Sequence, residues 1–336
     1  MPPNVIEGPY VRDLLDQPAA LQRTWENMKE TVELSRVAQQ VRDGSYRRIV
    51  LTGMGSSQHA LYPLHLQLIQ SGQPSYLVET AELIHYQHEL LATGTIVIAI
   101  SQSGHTAEIV TLLDMARGRV PLIGITNTPG SPLANAADVL LAMYAGPEAT
   151  VSCKTYVTSL MLLEWLGAHL TGTDPGSVRD HLSGASPAVA RYLESWREHV
   201  AEAQTELEGV HRIFVTGRGA SLAAAQTGGL ILKESVRFAA EGMSCPAFRH
   251  GPFEVLRDDV MVVVMEGDVR TAALNRRLAG DVRRAGGRAK LVDVSDASLR
   301  SILEILPVQM MTLALGSLGG REAGKFALNT KVTTVE

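Results

Sequence analysis

Six consecutive residues in the first third of the chain carry the side chains of an anion-binding turn. The segment Ser101-Gln102-Ser103-Gly104-His105-Thr106 supplies three hydroxyls, an amide and a glycine where the backbone can approach a ligand. An apolar segment rich in β-branched residues, Thr95 to Ile100, precedes it, and helical apolar spacing follows from Ala107 to Ala116. Because the first N–H groups of a helix lack intrahelical partners and the helix dipole favours negative charge there, this turn could bind phosphate. The alternative is an ordinary strand-to-helix turn with a Ser or Thr N-cap.

Four further residues could take part in chemistry, and each has an ordinary alternative. Glu234 lies in a largely apolar helical stretch, where a partly buried carboxylate could act as a general base, although it could equally face solvent. His250 lies in a loop with Gly and Pro and could relay protons, or it could be a surface histidine. Lys154 could approach an anion or be a surface charge where a helix starts. Lys331 is close to the C-terminus, where residues are usually disordered.

Composition excludes several classes of protein. The net charge of -5 and the lack of a basic run argue against a nucleic-acid partner. The two cysteines, Cys153 and Cys245, cannot build a disulfide framework and have no metal-ligand spacing, and Cys153 is expected to be a small buried residue. We find no signal peptide and no uninterrupted apolar stretch long enough to cross a bilayer, so we predict a cytoplasmic protein without a membrane partner.

Two glycine turns resemble part of the dinucleotide-binding fingerprint. Gly53-x-Gly55 and Gly217-x-Gly219 each follow a predicted strand and begin a helix, but the third glycine would fall at Gln58 and Leu222. The sequence also lacks a P-loop. We therefore predict no nicotinamide cofactor, no metal and no nucleotide hydrolysis.

The elements around these residues alternate between strand and helix, which predicts an α/β fold of doubly wound parallel sheets. Before the serine turn, a helix is expected from Leu21 to Val41. The predicted strands of the first half cover residues 48–52, 75–78, 95–100, 121–126 and 139–142.

The pattern of residues 47–57 returns at 211–221, which predicts two tandem domains related by an internal repeat. Val260 to Met265 parallels the central strand, and residues 289–294 parallel the strand at 121. The second copy has Glu266-Gly267-Asp268 in place of the serine turn. Two carboxylates there would repel phosphate, so we expect only the first copy to bind the anion.

The predicted organisation has five parts. They are an N-terminal helical segment (1–45), a first domain with the phosphate site (46–170), a helical linker (171–207), a second domain with the general base and the His loop (208–306), and a C-terminal helix with an active-site tail (307–336).

The order of these motifs resembles the double-domain sugar isomerase (SIS) family, and within it the isomerase half of glutamine–fructose-6-phosphate aminotransferases. The resemblance rests on the serine turn, the doubled glycine turns, Leu232-Lys233-Glu234, Arg249-His250-Gly251-Pro252-Phe253 and the terminal Lys331-Val332-Thr333-Thr334-Val335-Glu336. It covers the chain from about residue 20 to the end. It implies flavodoxin-like SIS domains and a hexose 6-phosphate substrate.

The resemblance also implies a role for individual residues. The phosphate would be bound by Ser57, Ser101, Gln102, Ser103 and Thr106, with further substrate contacts possible at Gly55, Ser56, Ser152 and Lys154. Glu234 matches the base that moves a proton between carbon-1 and carbon-2 of the open-chain sugar. His250 matches the residue that assists ring opening, in the family at the partner subunit's site, which implies a homodimer. Lys331 matches a lysine that can form a Schiff base with the keto sugar.

Several features depart from the family pattern. His105 replaces a common acidic residue, Thr227 stands where the synthases have Glu, and the loop of residues 149–154 is one residue shorter. The chain begins Met1-Pro2-Pro3 without a terminal cysteine nucleophile, so we expect no use of glutamine. The favoured activity is conversion of glucosamine 6-phosphate to fructose 6-phosphate and ammonia, or the reverse. A fructosamine-6-phosphate deglycase, a simple aldose–ketose phosphate isomerase and a non-catalytic sugar-phosphate sensor remain as alternatives.

Overall fold

The computed structural model describes residues 6–294, 296–328 and 330–331, which form two compact units. The five-stranded unit comprises residues 19–147, 154–184 and 330–331. The four-stranded unit comprises residues 6–18, 148–153, 185–294 and 296–328. Each unit is therefore assembled from separate stretches of the chain.

The helices alternate with the strands along most of the chain. In chain order they are α1 (Pro9–Leu15), α2 (Gln17–Asn27), α3 (Val32–Arg42), α4 (Ser56–Ala60), α5 (Tyr62–Gln70), α6 (Thr80–His85), α7 (Ala107–Ala116), α8 (Pro132–Ala136), α9 (Lys154–Thr171), α10 (Pro175–Leu182), α11 (Ala185–Glu194), α12 (Trp196–Leu207), α13 (Leu222–Val236), α14 (Cys245–Arg249), α15 (Val269–Arg284), α16 (Arg300–Leu303) and α17 (Leu306–Leu318).

The five-stranded unit contains one parallel sheet. Its strands are β1 (Arg48–Gly53), β2 (Ser75–Glu79), β3 (Thr95–Ile100), β4 (Leu122–Thr126) and β5 (Val139–Ala142), in the spatial order β2-β1-β3-β4-β5. Every residue of β3 is buried, as its continuous apolar sequence predicts for a strand covered on both faces. This strand order is doubly wound, and the predicted fold class is confirmed.

The predicted single helix from Leu21 to Val41 is wrong, because the chain has two helices there. The second one, α3, begins after Thr31, whose hydroxyl accepts a hydrogen bond from the N–H of Leu34 at 3.1 Å. A threonine N-cap of this kind starts a new helix, and residues 28–31 leave the helical path before it.

The four-stranded unit contains a second parallel sheet with the order β7-β6-β8-β9. Its strands are β6 (Arg212–Gly217), β7 (Ala240–Ser244), β8 (Val260–Met265) and β9 (Arg288–Val292). The sequence analysis missed β7, whose residues Ala-Glu-Gly-Met-Ser lack β-branched side chains.

Helix α13 packs against β7 at a pair of glycines. A Cβ at Gly229 of the helix would collide with the backbone nitrogen of Gly242 in the strand. A Cβ at Gly242 would in turn collide with the carbonyl oxygen of Ala225. Only glycines allow this approach, which fixes the position of α13 and therefore of Glu234.

By length and composition alone, the segment Ala297–Leu318 could cross a membrane, since its most apolar 18-residue window has a mean hydropathy of 1.5. The segment is not an uninterrupted apolar stretch, because Arg300 and Glu304 lie within it. Of that window, 78% is buried inside the protein. Its α17 part packs against α12 and α13, so the segment is a core element of the four-stranded unit.

Two predicted segments divide between the units. Of the N-terminal segment 1–45, residues 6–18 belong to the four-stranded unit, because Tyr10 and Leu14 of α1 are buried there. Of the linker 171–207, residues to 184 belong to the five-stranded unit and residues from 185 to the four-stranded unit.

Candidate active site

Two turns lie side by side at the carboxyl edge of the five-stranded sheet. The glycine turn follows β1, the serine turn follows β3, and Gly53 pairs with Ile100 at the ends of these neighbouring strands. The strand order changes direction between β1 and β3, which is where open α/β sheets bind ligands. Ser57, with Gly55 and Ser56 before it, is thereby placed next to the serine turn, and all three are partly exposed.

The serine hydroxyls shape their own turn. Ser101 Oγ accepts a hydrogen bond from the N–H of Gly104 at 3.1 Å, and Ser103 Oγ accepts one from the N–H of His105 at 3.2 Å. Both serines are nearly buried, at 6% and 8% exposure. Because each oxygen acts as the acceptor in these bonds, its own proton remains able to donate to a bound anion.

Thr106 begins α7 without capping it. The residue occupies the N-cap position, yet its side chain makes no capping hydrogen bond. Its Oγ1 is buried, and no hydrogen-bond partner for it occurs among the described residues. A buried hydroxyl without a partner is costly unless a ligand or water satisfies it, so this atom suits an anion at the turn.

The backbone of the serine turn is held by the strand beside it. The carbonyl oxygen of Gln102 accepts hydrogen bonds from Asn127 N–H at 3.0 Å and from Thr126 Oγ1 at 3.2 Å. Gly104 has a φ of +65°, and a Cβ there would collide with Ser131 Oγ. The turn therefore requires glycine at this position and is preorganised before any ligand binds.

The loop of residues 149–154 is divided between the two units, since residues to Cys153 belong to the four-stranded unit and Lys154 belongs to the five-stranded unit. Within the four-stranded unit, the N–H of Cys153 donates to Glu148 Oε1 at 2.9 Å, and Cys153 is fully buried, as predicted. Ser152, in the same loop, is partly exposed. In the five-stranded unit, Lys154 is only 4% exposed and its Nζ donates to the carbonyl oxygen of Pro147 at 2.7 Å. The alternative of a surface charge at Lys154 is wrong.

Glu234 lies on α13, partly exposed, in the four-stranded unit. Tyr10 of α1 is completely buried within reach of its charge. Burial raises the pKa of the Tyr10 phenol, and the neighbouring Cys153, Glu148 and Glu234 raise it further. The four-stranded unit therefore brings the candidate base together with α1 and the loop of residues 148–153.

His250 and Lys331 are placed differently. His250 is exposed at the end of α14, where its N–H donates to the carbonyl oxygens of Pro246 and Ala247. Its neighbour Arg249 forms an ion pair with Asp281 of α15. Lys331 is partly exposed and belongs to the five-stranded unit, as the serine turn does. Residues 332–336 of the predicted active-site tail lie outside the described residues.

The sequence analysis missed the surroundings of Glu234. Tyr10 lies in the predicted N-terminal helical segment (1–45), and Glu148 directly precedes the loop of residues 149–154. A tyrosine directly after Pro9, at the start of a helix whose buried positions are 10, 11, 13 and 14, is the sequence feature that could have indicated it.

A cavity of about 690 Å³ lies elsewhere in the five-stranded unit. Residues 116–122, which lead into the beginning of β4, line it together with Arg36 and Tyr46. It therefore lies at the amino edge of the sheet, away from the serine turn. The size of a cavity alone does not identify the reactive site, and we assign the site by the chemistry of the turns.

Metal ligands are not clustered in the part of the chain that the structure describes, since no group of three or more His, Cys, Asp or Glu residues could hold an ion. The cysteines do not suit nucleophilic chemistry either. Both are buried, and burial raises the pKa of the Cys245 thiol.

The chain matches curated relatives over nearly its whole length. It is 29% identical over 352 residues to an isomerizing glutamine–fructose-6-phosphate aminotransferase of Pyrococcus horikoshii, which covers 97% of this chain and 57% of the relative. The chain thus spans little more than half the length of that relative.

Solved structures match the fold. The C-terminal domain of glucosamine-fructose-6-phosphate aminotransferase from Francisella tularensis superposes with a TM-score of 0.81 at 19% identity, covering 93% of this chain and 97% of that one. Glucosamine-6-phosphate deaminase from Thermotoga maritima superposes with a TM-score of 0.78 at 16% identity, covering 98% and 100%. At these identities the likeness shows the fold.

A match to a family model shows which protein family the chain belongs to. The model of the SIS domain matches residues 45–168 and 206–300, which is more than half of the chain and includes both sheets. Both glycine turns, the serine turn, Glu234 and His250 lie inside the matched segments. The chain belongs to the SIS domain family.

Proposed function

We propose that this chain is a sugar-phosphate enzyme that converts glucosamine 6-phosphate and water into fructose 6-phosphate and ammonia, a reaction that can also run in reverse. The observation that carries the proposal is the serine turn, whose hydroxyls converge at the switch point of the five-stranded sheet. The amino-sugar substrate is supported by the names of the Pyrococcus horikoshii and Thermotoga maritima proteins.

The phosphate would be bound by hydrogen bonds. Ser101, Ser103 and Thr106 would donate their hydroxyl protons, with Gln102 and Ser57 beside them. The dipole of α7 adds a favourable field at its first turn. Because the donors are held by the backbone before the ligand arrives, little ordering cost is expected on binding.

The reaction requires proton transfers at two carbons. In the open-chain aldehyde, Glu234 would remove the proton from carbon-2 and return it to carbon-1. The aldehyde oxygen then becomes a hydroxyl, and the carbon-2 amine becomes an imine. Water adds to this imine and ammonia leaves, which yields the ketose phosphate. His250, from the partner subunit, would assist ring opening by proton relay.

Lys331 offers a second route at the same carbon. Its amine would exchange with the imine nitrogen at carbon-2, release ammonia and form a Schiff base that water then hydrolyses. These steps use a carboxylate, an imidazole, an amine and water, so the proposal includes no metal or organic cofactor. We also propose that the enzyme is a cytoplasmic homodimer.

The test is the production of ammonia and fructose 6-phosphate from glucosamine 6-phosphate. Replacing a positioned general base should lower kcat on the order of 100-fold or more, so Glu234→Gln should lose nearly all turnover. The matched control is Glu241→Gln, which removes a carboxylate from an exposed position in the same unit. It should retain activity close to that of the wild type.

Other outcomes distinguish the alternatives. Full activity in Glu234→Gln would remove this residue as the base. Absence of turnover in the wild type would exclude this substrate, and fructosamine 6-phosphates and unsubstituted hexose phosphates would then be assayed. Turnover of those would indicate a deglycase or a simple isomerase. Tight binding of sugar phosphates without turnover of any would indicate a sensor.

A further inference from the structure

The four-stranded sheet has its own pair of turns at its carboxyl edge. Strand β6 leads through a glycine turn to Ser221, and β8 leads through Glu266-Gly267-Asp268 into α15. Strands β6 and β8 are neighbours, as β1 and β3 are in the other sheet. Gly219 and Gly55 have matching positive φ values of 56° and 53°. The second edge therefore has the framework of an anion site.

A side chain of the same unit fills this framework. Glu304, which directly follows α16, is completely buried. Its Oε1 accepts a hydrogen bond from Ser221 Oγ at 3.0 Å and lies 3.6 Å from Arg300 Nε. The backbone of Gly267 lies close enough to lower the pKa of this carboxyl, while Glu304 Oε2 has no hydrogen-bond partner among the described residues. The two turns thus meet at one carboxylate, with Ser221 as its hydrogen-bond donor.

Each of the two acidic residues of the second turn is paired with an arginine. Glu266 forms an ion pair with Arg276, and Asp268 forms two hydrogen bonds with the guanidinium of Arg270, at 2.9 and 3.0 Å. Each of these carboxylates therefore has a basic partner. Repulsion of phosphate by the two carboxylates stays a prediction, and Glu304 gives a second reason to expect no phosphate here, because it already accepts from Ser221.

We propose that the second edge is a carboxylate-binding site whose permanent ligand is Glu304 of the same chain. The site holds a monocarboxylate, and it ties the start of α17 to the ends of β6 and β8. Sugar phosphate is excluded from this unit because the donors are already used. The proposal does not depend on which substrate the serine turn binds.

The first experiment is chemical rescue. Glu304→Ala removes a CH₂–COO⁻ group, for which acetate is the free equivalent. The variant should melt at a lower temperature than the wild type, and acetate should raise its Tm in a saturable manner. Acetamide is the comparison of the same shape that does not titrate. Because burial raises the pKa of Glu304, the acetate response should be larger at pH 5 than at pH 7, whereas the acetamide response should not change in this way. The matched control is Leu306→Ala, a buried apolar truncation two residues away whose Tm should not respond to acetate beyond the wild-type response.

The result that overturns the proposal is a folded Glu304→Ala protein whose Tm responds to acetate no more than that of Leu306→Ala. If Glu304→Ala is insoluble without acetate, solubility restored by acetate and not by acetamide supports the proposal. If it is insoluble in both, Ser221→Ala decides. Loss of this donor should move the titration of the Glu304 carboxyl, followed by ¹³C NMR, to higher pH. An unchanged titration midpoint would refute the assigned bond.

Discussion

The serine turn of the five-stranded unit and the acidic turn of the four-stranded unit occupy matching places in two SIS segments. The first has six residues between strand and helix, and the second has three. In the first, hydroxyl protons and the buried Thr106 Oγ1 remain available to a ligand. In the second, Ser221 already donates to Glu304.

The two edges share a backbone arrangement, but this arrangement alone does not determine whether the edge is free to bind a ligand. Both edges have a glycine turn after one strand and a helix that starts after the neighbouring strand. What decides between an open and a closed site is whether a carboxylate from elsewhere in the unit reaches the donors. Glu304 is separated by 83 residues from Ser221, so no local pattern in the second turn indicates it.

The comparison extends to the helix after each glycine turn. In the five-stranded unit this helix is interrupted between α4 and α5, whereas α13 runs unbroken against β7. Gly229→Ala should lower the free energy of unfolding by about 3 kcal/mol or more, because its Cβ would collide with the backbone of Gly242. It should also lower activity, since Glu234 is carried on α13.

Urea denaturation and the ammonia assay would measure both effects. The matched control is Gly280→Ala on α15, where the nearest atom to an added Cβ is the flexible Arg284 guanidinium at 3.4 Å. Alanine there should raise stability by about 0.5–1 kcal/mol through helix propensity. Equal stability changes in the two variants would contradict the close packing of α13 on β7.

The buried carboxyl of Glu304 at the second edge should make the stability of the folded protein depend on pH. Burial raises the pKa of Glu304 from 4.5 to about 7, against the opposing effects of Ser221 and Arg300, and Asp293 adds a smaller increase. The folded protein therefore holds this proton more tightly than the unfolded chain. The contribution is complete below pH 4.5 and is lost as the pH rises through 7. At about 1.4 kcal/mol for each pH unit between the two values, the loss approaches about 3 kcal/mol.

Denaturation of the wild type and Glu304→Gln at pH 5 and at about pH 8.5 measures this contribution. The glutamine variant has no titrating group at this position, so its stability should fall less over the same interval. An identical decrease in both proteins would show that Glu304 does not titrate in this range.

Much of the fold could be predicted because the central strand of each sheet is a continuous apolar segment. β3 in the first sheet and β8 in the second are buried along their whole length, and the sequence analysis gives their bounds to the residue. β7 could not be predicted in this way, because Gly242 is selected by the approach of α13 rather than by strand propensity. The break before α3 depends on one capping threonine inside a pattern that otherwise reads as a single amphipathic helix.

The parts of the candidate site that consist of consecutive residues could be predicted from the sequence. The serine turn carries its hydroxyls on consecutive residues, so its chemistry can be read without tertiary structure. Tyr10 is far from both Glu148 and Glu234 in sequence, and its proximity to these two charges results from folding. Lys154 is likewise buried, and its Nζ donates to the carbonyl oxygen of Pro147, a contact that no pattern in the sequence specifies.

The N-cap residues of α7 and α15 provide the most direct test of the comparison. Thr106 precedes α7 without a capping bond, whereas Asp268 caps α15 by accepting from the N–H of Arg270 at 2.8 Å. Thr106→Ala should weaken binding of the phosphorylated sugar about tenfold, the value of one hydrogen bond to a charged group, and should leave stability nearly unchanged. Asp268→Ala should lower stability by about 1 kcal/mol through loss of the cap and leave KM unchanged. Steady-state kinetics and urea denaturation of both variants separate the two roles. A loss of stability in Thr106→Ala equal to that in Asp268→Ala would mean that Thr106 serves the helix rather than a ligand.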